Sequence, residues 1–183
     1  DVACFIVDQL AGDSRAYARD RRVACKRIVS EIYSPPRVTK YLSRVPNYGL
    51  TPGFALDLTC EDPSDGLPWD FDKLAKRQRA LDLIRTQKPL FLVGSPCCTA
   101  WSSWQNLNNA HRDPREVEKD RVKAIVHIRF CVMLYEEQMN GGRYFVHEHP
   151  NQATSWSLSE MQATMRDPRV DRVRGDQCQY GAQ

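Results

Sequence analysis

An α/β fold with a doubly wound, mostly parallel sheet is predicted by three observations. Short β-rich segments alternate along the chain with segments of helical periodicity. Polar and reactive side chains directly follow the apolar segments, as they do at the carboxyl ends of strands in open α/β sheets. The chain has 183 residues, 42% hydrophobic and 27% charged, so one globular domain with a buried core accounts for it.

The individual elements follow from periodicity and from residues that stop strands and helices. Pro35 and Pro36 end the first strand, because proline does not continue a central strand. The second strand has Asp57 near its end, and we expect Asp72 to cap the helix after it. In order, we predict a strand over 28–33, a helix over 38–45, a strand over 54–58, a helix over 73–85, a strand over 90–93, a long helix over 113–140, a strand over 144–146, a short helix from 157 and a strand or loop over 172–174.

The two later helices have clear start signals. Asp113 is an N-cap acceptor, Pro114 suits the first helical position and Glu116 supplies a reciprocal carboxylate. The run 157–160, Ser-Leu-Ser-Glu, predicts a second capping box. The long helix is expected to be largely buried, with apolar residues on two sides. One side has Val122, Ile125, Val126, Val132 and Met133, and the other has Ala124, Ile128, Cys131 and Tyr135.

The composition disfavours several classes of protein. No stretch approaches the roughly 20 apolar residues of a membrane helix, so we expect no membrane partner. The start of the chain carries no signal-peptide pattern. The seven cysteines are odd in number and include no Cys-x-x-Cys pair, which disfavours a disulfide framework and a finger-type zinc site. Reduced thiols and an intracellular location are expected instead.

Residues 1–27 are predicted to form a separate basic arm or helix. Its cations are Arg15, Arg19, Arg21, Arg22, Lys26 and Arg27. The net charge of +3 is too small to indicate a nucleic-acid partner by itself. Because the chain begins at Asp1 and ends at Gln183 without a closing element, we expect it to be part of a longer protein.

Candidate reactive groups follow two of the predicted strands. The thiols of Cys97 and Cys98 come shortly after the strand over 90–93, and the run 147–149, His-Glu-His, comes directly after the strand over 144–146. If these strands are neighbours, their carboxyl ends bring a thiol and a carboxylate to one edge of the sheet. A thiol and a carboxylate are suited to nucleophilic and acid catalysis, respectively.

These landmarks resemble the catalytic core of cytosine-C5 DNA methyltransferases, whose Pro-Pro-Cys nucleophile loop continues with Gln and a Phe-Ser pair. The run 96–102, Pro-Cys-Cys-Thr-Ala-Trp-Ser, is similar to that loop and aligns Cys98 with the family nucleophile. The run 148–150, Glu-His-Pro, resembles the family's Glu-Asn-Val/Pro motif. The landmarks occur in the family's order.

Segments over 33–39, 94–99 and 176–181 are similar to methyltransferase-like segments of retroelement polyproteins. The resemblance implies a Rossmann-like domain of the class I S-adenosylmethionine-dependent methyltransferase type over 28–183, truncated and lacking a target-recognition region. It also implies two kinds of partner. One is nucleic acid, as double-stranded DNA, and the other is the remaining domains of a polyprotein. A nuclear location is the corresponding expectation.

S-adenosylmethionine is the cofactor that the resemblance implies. Prolines at 35 and 36 replace glycines of the family's cofactor loop and remove backbone donors that would meet the cofactor's carboxylate. Asp57, together with Asp70 or Phe71, falls where the family contacts ribose and adenine. The implied cofactor-binding residues are Glu31, Tyr33, Ser34, Pro35, Asp57, Asp70, Phe71, Ser95 and Pro96.

The implied catalytic residues are Cys98, Glu148, Arg172 and Arg174. In the family's route a thiolate adds to cytosine C6, a carboxylic acid protonates N3, and C5 then takes the methyl group. Positive charge from the two arginines, which resemble the family's Arg-x-Arg base clamp, would favour an ionised Cys98. Burial beside the strand over 144–146 would help Glu148 keep its proton.

The target base has to leave the duplex before it can react. Trp101, Trp104 and Gln105 are candidates to line or fill the gap that the base leaves behind. All three follow closely after the thiols.

Two alternatives stay open. The altered cofactor loop also fits a catalytically silent remnant that binds nucleic acid within a polyprotein. The residue types also fit a zinc-binding module, and strand alternation places His147 and His149 on one side and Glu148 on the other. The zinc ligands would be Cys97 or Cys98, His147, His149 and Cys178.

Overall fold

The structure, a computed structural model, describes residues 2–10, 12–17, 27–45 and 49–176. At its centre is a four-stranded sheet in the order β2-β1-β3-β4, in which every neighbouring pair is parallel. The strands are β1 (Ile28–Ile32), β2 (Thr51–Leu56), β3 (Phe91–Gly94) and β4 (Tyr144–His147). The prediction of an α/β fold with a parallel sheet is confirmed.

The strand order contains one reversal of direction. The chain passes from β1 outward to β2 and then returns to place β3 on the other side of β1. Ligands of open α/β sheets bind beside such a reversal, outside the carboxyl ends of the strands. A ligand site is therefore expected at the carboxyl ends of β1, β3 and β4.

The helices and turns have the following bounds. The helices are α1 (Val2–Gln9), α2 (Val38–Arg44), α3 (Leu74–Gln87), α4 (Gln105–Asn109), α5 (Pro114–Asn140) and α6 (Ser159–Arg166), with 3₁₀ turns over Thr99–Trp101 and Thr154–Ser157. None of these described helices is both long enough and apolar enough to cross a bilayer.

Most of the core lies between the sheet and helices α3 and α5. Side chains alternate along β1, so Ile32 enters this core while Glu31 points to the opposite face, beneath α2. The core comprises Ile32, Leu56, Trp69, Phe71, Ala80, Leu81, Ile84, Leu92, Phe130, Cys131, Leu134 and Tyr135. A second, smaller cluster of Trp101, Ile128, Val132, Ala153 and Met161 joins α5 and α6 to the loops after β3 and β4.

The second strand begins earlier than its apolar residues predict. β2 starts at Thr51 and includes Pro52, and it ends at Leu56, which leaves Asp57 in the following turn. Proline is tolerated here because β2 is an edge strand that pairs with β1 alone among the described strands. Pro52 and Gly53 interrupt its apolar pattern, so the predicted strand over 54–58 begins too late.

One of the three predicted helix caps is confirmed. Asp113 accepts a hydrogen bond from Arg115 N at 2.8 Å, and Pro114 is the first residue of α5. The predicted cap by Asp72 is wrong, because Lys73 occupies the N-cap position of α3 without a side-chain hydrogen bond. The predicted capping box over 157–160 is also wrong: Leu158 is the N-cap residue of α6 and makes no side-chain cap.

The two sides of α5 differ more than the sequence suggests. Ile128, Cys131 and Tyr135 are completely buried, Cys131 and Tyr135 in the main core and Ile128 in the second cluster. On the other predicted apolar side, Val122 is 53% and Met133 40% exposed, whereas Val132 is buried in the second cluster, so only part of that side is covered.

Several sequence predictions concern residues outside the described part. These are four of the six cations of the basic arm, Arg19, Arg21, Arg22 and Lys26, and also Cys178. The segment over 171–176, which carries Arg172 and Arg174, is described and has no regular secondary structure.

Candidate functional site

The loops after β3 and β4 leave the sheet side by side. Glu148 N donates to Gly94 O at 2.9 Å, which extends the parallel ladder by one residue beyond β4. Ser95 N donates to Ile32 O at 3.2 Å and fixes the start of the other loop beside β1. The structure thus brings the thiol-bearing loop and the loop of Glu148 to the same edge of the sheet, at neighbouring strands.

The two thiols occupy different environments within their loop. Cys97 is exposed, and its thiol donates to Thr99 Oγ1 at 3.3 Å. Cys98 is half-buried and begins a 3₁₀ turn in which Trp101 N donates to Cys98 O at 3.0 Å. Pro96, which precedes both, is buried. The rigid turn holds Cys98 at the start of a segment that is anchored in the second cluster.

The residues after β4 alternate as the strand geometry predicts. The ring centroids of His147 and His149 lie 5.3 Å apart, on one side of the chain. Glu148 lies between them in sequence and is exposed. The expectation that Glu148 is buried beside the β4 side chains is therefore wrong, because the outward side of the loop is open to solvent.

Both imidazoles are held by hydroxyl groups at their Nδ1 atoms. His147 Nδ1 lies 2.8 Å from the Tyr135 hydroxyl, and His149 Nδ1 lies 2.6 Å from Ser155 Oγ. Both Nε2 atoms are buried and have no hydrogen-bond partner in the described residues. The two rings instead meet Trp156 edge to face, with centroid distances of 5.4 and 6.3 Å.

Burial keeps both imidazoles neutral at pH 7. It lowers the pKa of His147 to about 3, and the nearby His149 acts in the same direction. Burial also lowers the pKa of His149, although the backbone groups of Pro96 and Cys97 act to raise it. Those backbone groups place His149 directly against the thiol-bearing loop.

The two arginines of the predicted catalytic set lie beyond this loop pair. Arg172 stacks over the Trp156 ring at 4.7 Å, and its Nη2 donates to Asn151 Oδ1 at 3.1 Å. Arg174 is exposed. A cavity of about 400 Å³ lies between β4 and the segment over 169–173 and is lined in part by His147, Trp156 and Arg172. Neither Cys98 nor Glu148 lines it.

Glu31, the first predicted cofactor residue, is buried and engaged by the protein itself. Its carboxylate accepts hydrogen bonds from Thr39 N at 2.8 Å, Thr39 Oγ1 at 2.7 Å and Val38 N at 3.1 Å. It also accepts from Arg37 N and from Ser34 Oγ. The first backbone donors of α2 thus meet an internal carboxylate, and Ser34 is part of the same arrangement.

Tyr33, two residues after Glu31, has a strained backbone conformation and points to the other face. Its φ of 56° is in the left-handed region, which non-glycine residues seldom adopt. Its hydroxyl lies 2.9 Å from His127 Nδ1, and His127 Nε2 lies 3.1 Å from Asp72 Oδ1. Burial raises the pKa of the Tyr33 hydroxyl far above its usual range. The half-buried Pro35 continues the turn into α2.

The remaining predicted cofactor residues are divided between the surface and the core. Asp57 is half-buried and accepts from Thr59 N and Oγ1 at 3.0 and 2.8 Å. Asp70 is half-buried and accepts from Asp72 N. Phe71 is buried in the main core, 4.7 Å from Tyr33 between ring centroids. Phe71 therefore does not offer a free face to an adenine ring.

The residues predicted to line or fill the gap left by a flipped base are also divided between the surface and the core. Trp101 is 2% exposed and forms part of the second cluster, whereas Trp104 is 75% exposed. Gln105 is half-buried at the start of α4. Trp101 thus anchors the thiol-bearing loop and is not available to fill a gap in a duplex.

The described residues offer no ready zinc centre. No three His, Cys, Asp or Glu side chains in this part of the chain are placed so that they could hold a metal ion. Cys178, one of the proposed ligands, lies outside the described residues.

A row of polar residues on α5 was not singled out from the sequence. His127, Cys131 and Tyr135 recur at intervals of four beneath the carboxyl edge of the sheet. His127 contacts Tyr33, Tyr135 contacts His147, and Cys131 is hydrogen-bonded to Tyr135. The spacing was visible, because a four-residue interval puts side chains on one helix face. Cys131 and Tyr135 were counted as apolar positions, which hid the polar pattern.

Comparisons of the chain with protein-family models, with curated proteins and with solved structures gave no match.

Proposed function

We propose that this chain is an S-adenosylmethionine-dependent, cytosine-C5 methyltransferase-like domain that acts on DNA through Cys98. The observation that supports the proposal is the placement of a half-buried thiol and an exposed carboxylate on loops that leave neighbouring parallel strands. The thiol-bearing loop, after β3, flanks the point where the strand order reverses, and the loop of Glu148 lies one strand further out.

In this proposal each residue has one task. The Cys98 thiolate forms a bond to C6 of a flipped cytosine, while Glu148 transfers its proton to N3, so that C5 gains nucleophilic character. Arg172 and Arg174 hold the base or the adjoining phosphate from the segment over 171–176. After C5 has gained the methyl group, water takes the C5 proton, the Cys98 thiolate leaves C6 and the N3 proton returns to Glu148, which restores the aromatic ring.

S-adenosylmethionine would supply the methyl group when bound. The residues present fit part of this cofactor: Asp57 and Asp70, both half-buried beyond β2, are suited to accept hydrogen bonds from ribose hydroxyls. The amino end of α2 is less suited to hold a carboxylate, because Glu31 already accepts from Arg37, Val38 and Thr39.

A covalent trap tests the nucleophile. Fluorine at C5 cannot leave as a proton does, so a duplex with 5-fluorocytosine is expected to stay bonded to the attacking thiol after methyl transfer. We expect an adduct that survives denaturing electrophoresis in the presence of S-adenosylmethionine, and its loss in Cys98→Ser. Cys97→Ser, which removes the adjacent exposed thiol, is the matched control and should keep the adduct. An adduct that persists in Cys98→Ser would refute the assignment.

A second candidate function is a catalytically silent domain that binds nucleic acid. The internal carboxylate of Glu31 at the start of α2 favours it, since those backbone donors are already used. S-adenosylhomocysteine separates the two candidates, because a ligand specific for the native state raises the midpoint of thermal unfolding by mass action. A dose-dependent rise supports the enzyme, and an unchanged midpoint together with salt-dependent DNA binding supports the silent domain.

A further inference from the structure

β4 is an open edge of the sheet. Among the described residues it pairs with β3 alone. The N–H groups of Tyr144 and Glu148 point to β3, where they meet Leu90 O and Gly94 O. By alternation, the peptide groups of Phe145 and His147 point away from β3, towards the open side. An extended chain of the right composition could use them as a template.

An apolar groove runs along this edge. The cavity of about 400 Å³ touches every residue of β4 and is closed on the far side by α6 and by the segment over 169–173. Val146 is 48% and Val173 89% exposed, and both line it. Its other apolar lining residues include Met139, Met161, Met165 and Val170. Apolar side chains gathered at an unpaired strand edge are typical of a docking surface.

The charge of the groove is net positive, since three arginines, Arg143, Arg169 and Arg172, and a single acidic residue, Asp171, line it. Arg172 lines it and has neutral partners, the Asn151 oxygens and the Trp156 ring. Arg174 follows on the same extended segment. Arg169 also lines the groove, where Asp167 pairs with it. Acidic side chains on an incoming segment would meet these cations, and basic ones would be repelled.

We propose that this groove is a docking site for an extended peptide segment in which apolar residues alternate with acidic ones, added as a further strand beside β4. Its backbone would pair with Phe145 and His147, its apolar side chains would cover Val146, and its carboxylates would face Arg172 and Arg174. This interaction surface shares Arg172 and Arg174 with the proposed methyltransfer site, but it lies apart from the reacting groups, because neither Cys98 nor Glu148 lines the groove.

The test uses the full chain and an acetylated Glu-Val-Glu-Val-Glu-Val-Glu peptide with a fluorescent label. We expect saturable binding by fluorescence anisotropy, weakened by salt, together with slower hydrogen exchange at the amides of Phe145 and His147. A peptide N-methylated at alternate residues keeps the side chains but cannot pair, and should bind roughly tenfold or more weakly. A Lys-Val-Lys-Val-Lys-Val-Lys peptide should bind no more tightly than the N-methylated peptide.

A matched pair of variants locates the site on the protein. Val146→Asn should weaken binding by roughly tenfold or more, because it removes apolar contact at the strand edge without adding a charge. Val122→Asn, at a similarly exposed valine on α5, should leave binding unchanged. Equal binding of the N-methylated peptide, or no loss in Val146→Asn, would overturn the proposal. So would sedimentation showing a dimer that Val146→Asn disrupts, since a second copy would then be the occupant.

Discussion

Glu31 shows how one side chain determines the shape of a whole turn. The residue is the penultimate one of β1 and lies on the face opposite the main core, with its carboxylate beneath the first turn of α2. A carboxylate at a helix amino end is favoured by the backbone donors and by the helix dipole. The same carboxylate also accepts the Thr39 hydroxyl, so it ties β1 to α2 through two kinds of donor.

We predict that Glu31→Gln destabilises the fold by about 2–3 kcal/mol, because an amide keeps one acceptor but turns an NH₂ group towards buried backbone donors. Asp57→Asn is the control, because Asp57 accepts only from the nearby Thr59 in a partly exposed turn, and it should cost less than about 1 kcal/mol. The measurement is the free energy of unfolding from urea denaturation. Equal losses in the two variants would contradict a special role for Glu31.

The sequence does not distinguish aromatic residues that bind a ligand from aromatic residues that belong to the core. Phe71 and Trp101 were assigned to ligand or base contacts, and both are buried in the two apolar clusters. An aromatic residue in a loop has the same pattern in either role, and only the surrounding elements decide between them. Asp62 is the reverse case: it lies in a polar loop yet is completely buried, with Lys76 and Arg79 as ion-pair partners.

At the scale of elements, the close approach of β3 and α5 shapes the site. A Cβ added at Gly94 would lie 2.1 Å from the Tyr135 hydroxyl, which in turn holds His147. Gly94 thus lets α5 bring a polar side chain up to the end of the sheet. The contact links the thiol-bearing loop, the long helix and the loop of Glu148.

We predict that Gly94→Ala destabilises the fold by about 1–3 kcal/mol, the usual cost of overpacking, and displaces Tyr135 from His147. Tyr135→Phe removes the clashing oxygen, so the double variant should lose less than the sum of the two single variants. A double-mutant cycle in urea unfolding measures this coupling. Strict additivity would show that the two residues do not meet.

Element positions were largely predictable, and their capping was not. Apolar periodicity located β1, β3, β4, α2, α3 and α5 to within a few residues. β2 was placed late because Pro52 and Gly53 interrupt its pattern. Asp72 failed as a cap because His127 offers it a partner from α5, which is distant in sequence. Local rules could not include that partner.

At the scale of the whole molecule, two apolar clusters hold the site between them. The main core fixes the sheet, and the second cluster fixes the loops after β3 and β4 through Trp101, Ala153 and α6. The sequence predicted that the thiol and carboxylate loops would share one edge, since that follows from two strands being neighbours. It could not predict the exposure of Glu148 or the burial of His149, which depend on the packing of the second cluster.

The imidazoles of His147, which is half-buried, and His149, which is buried, make the molecule sensitive to acid. His147 has a pKa of about 3 in the folded protein, whereas an unfolded histidine has a pKa of about 6.5. Between these values the unfolded chain binds a proton that the folded chain does not, so stability falls as the pH decreases from about 6.5 towards 3. The lowered pKa of His149 acts in the same sense.

We predict that the free energy of unfolding decreases by up to about 1.4 kcal/mol per pH unit for each buried imidazole between about pH 6.5 and 5, above the range in which carboxylates titrate. His147→Gln removes one of these protons and should reduce the slope, while His111→Gln, at an exposed position, should not. Urea denaturation at several pH values measures both slopes. If His147→Gln had the slope of the unsubstituted chain, the second cluster would have to open in acid without first being protonated at His147.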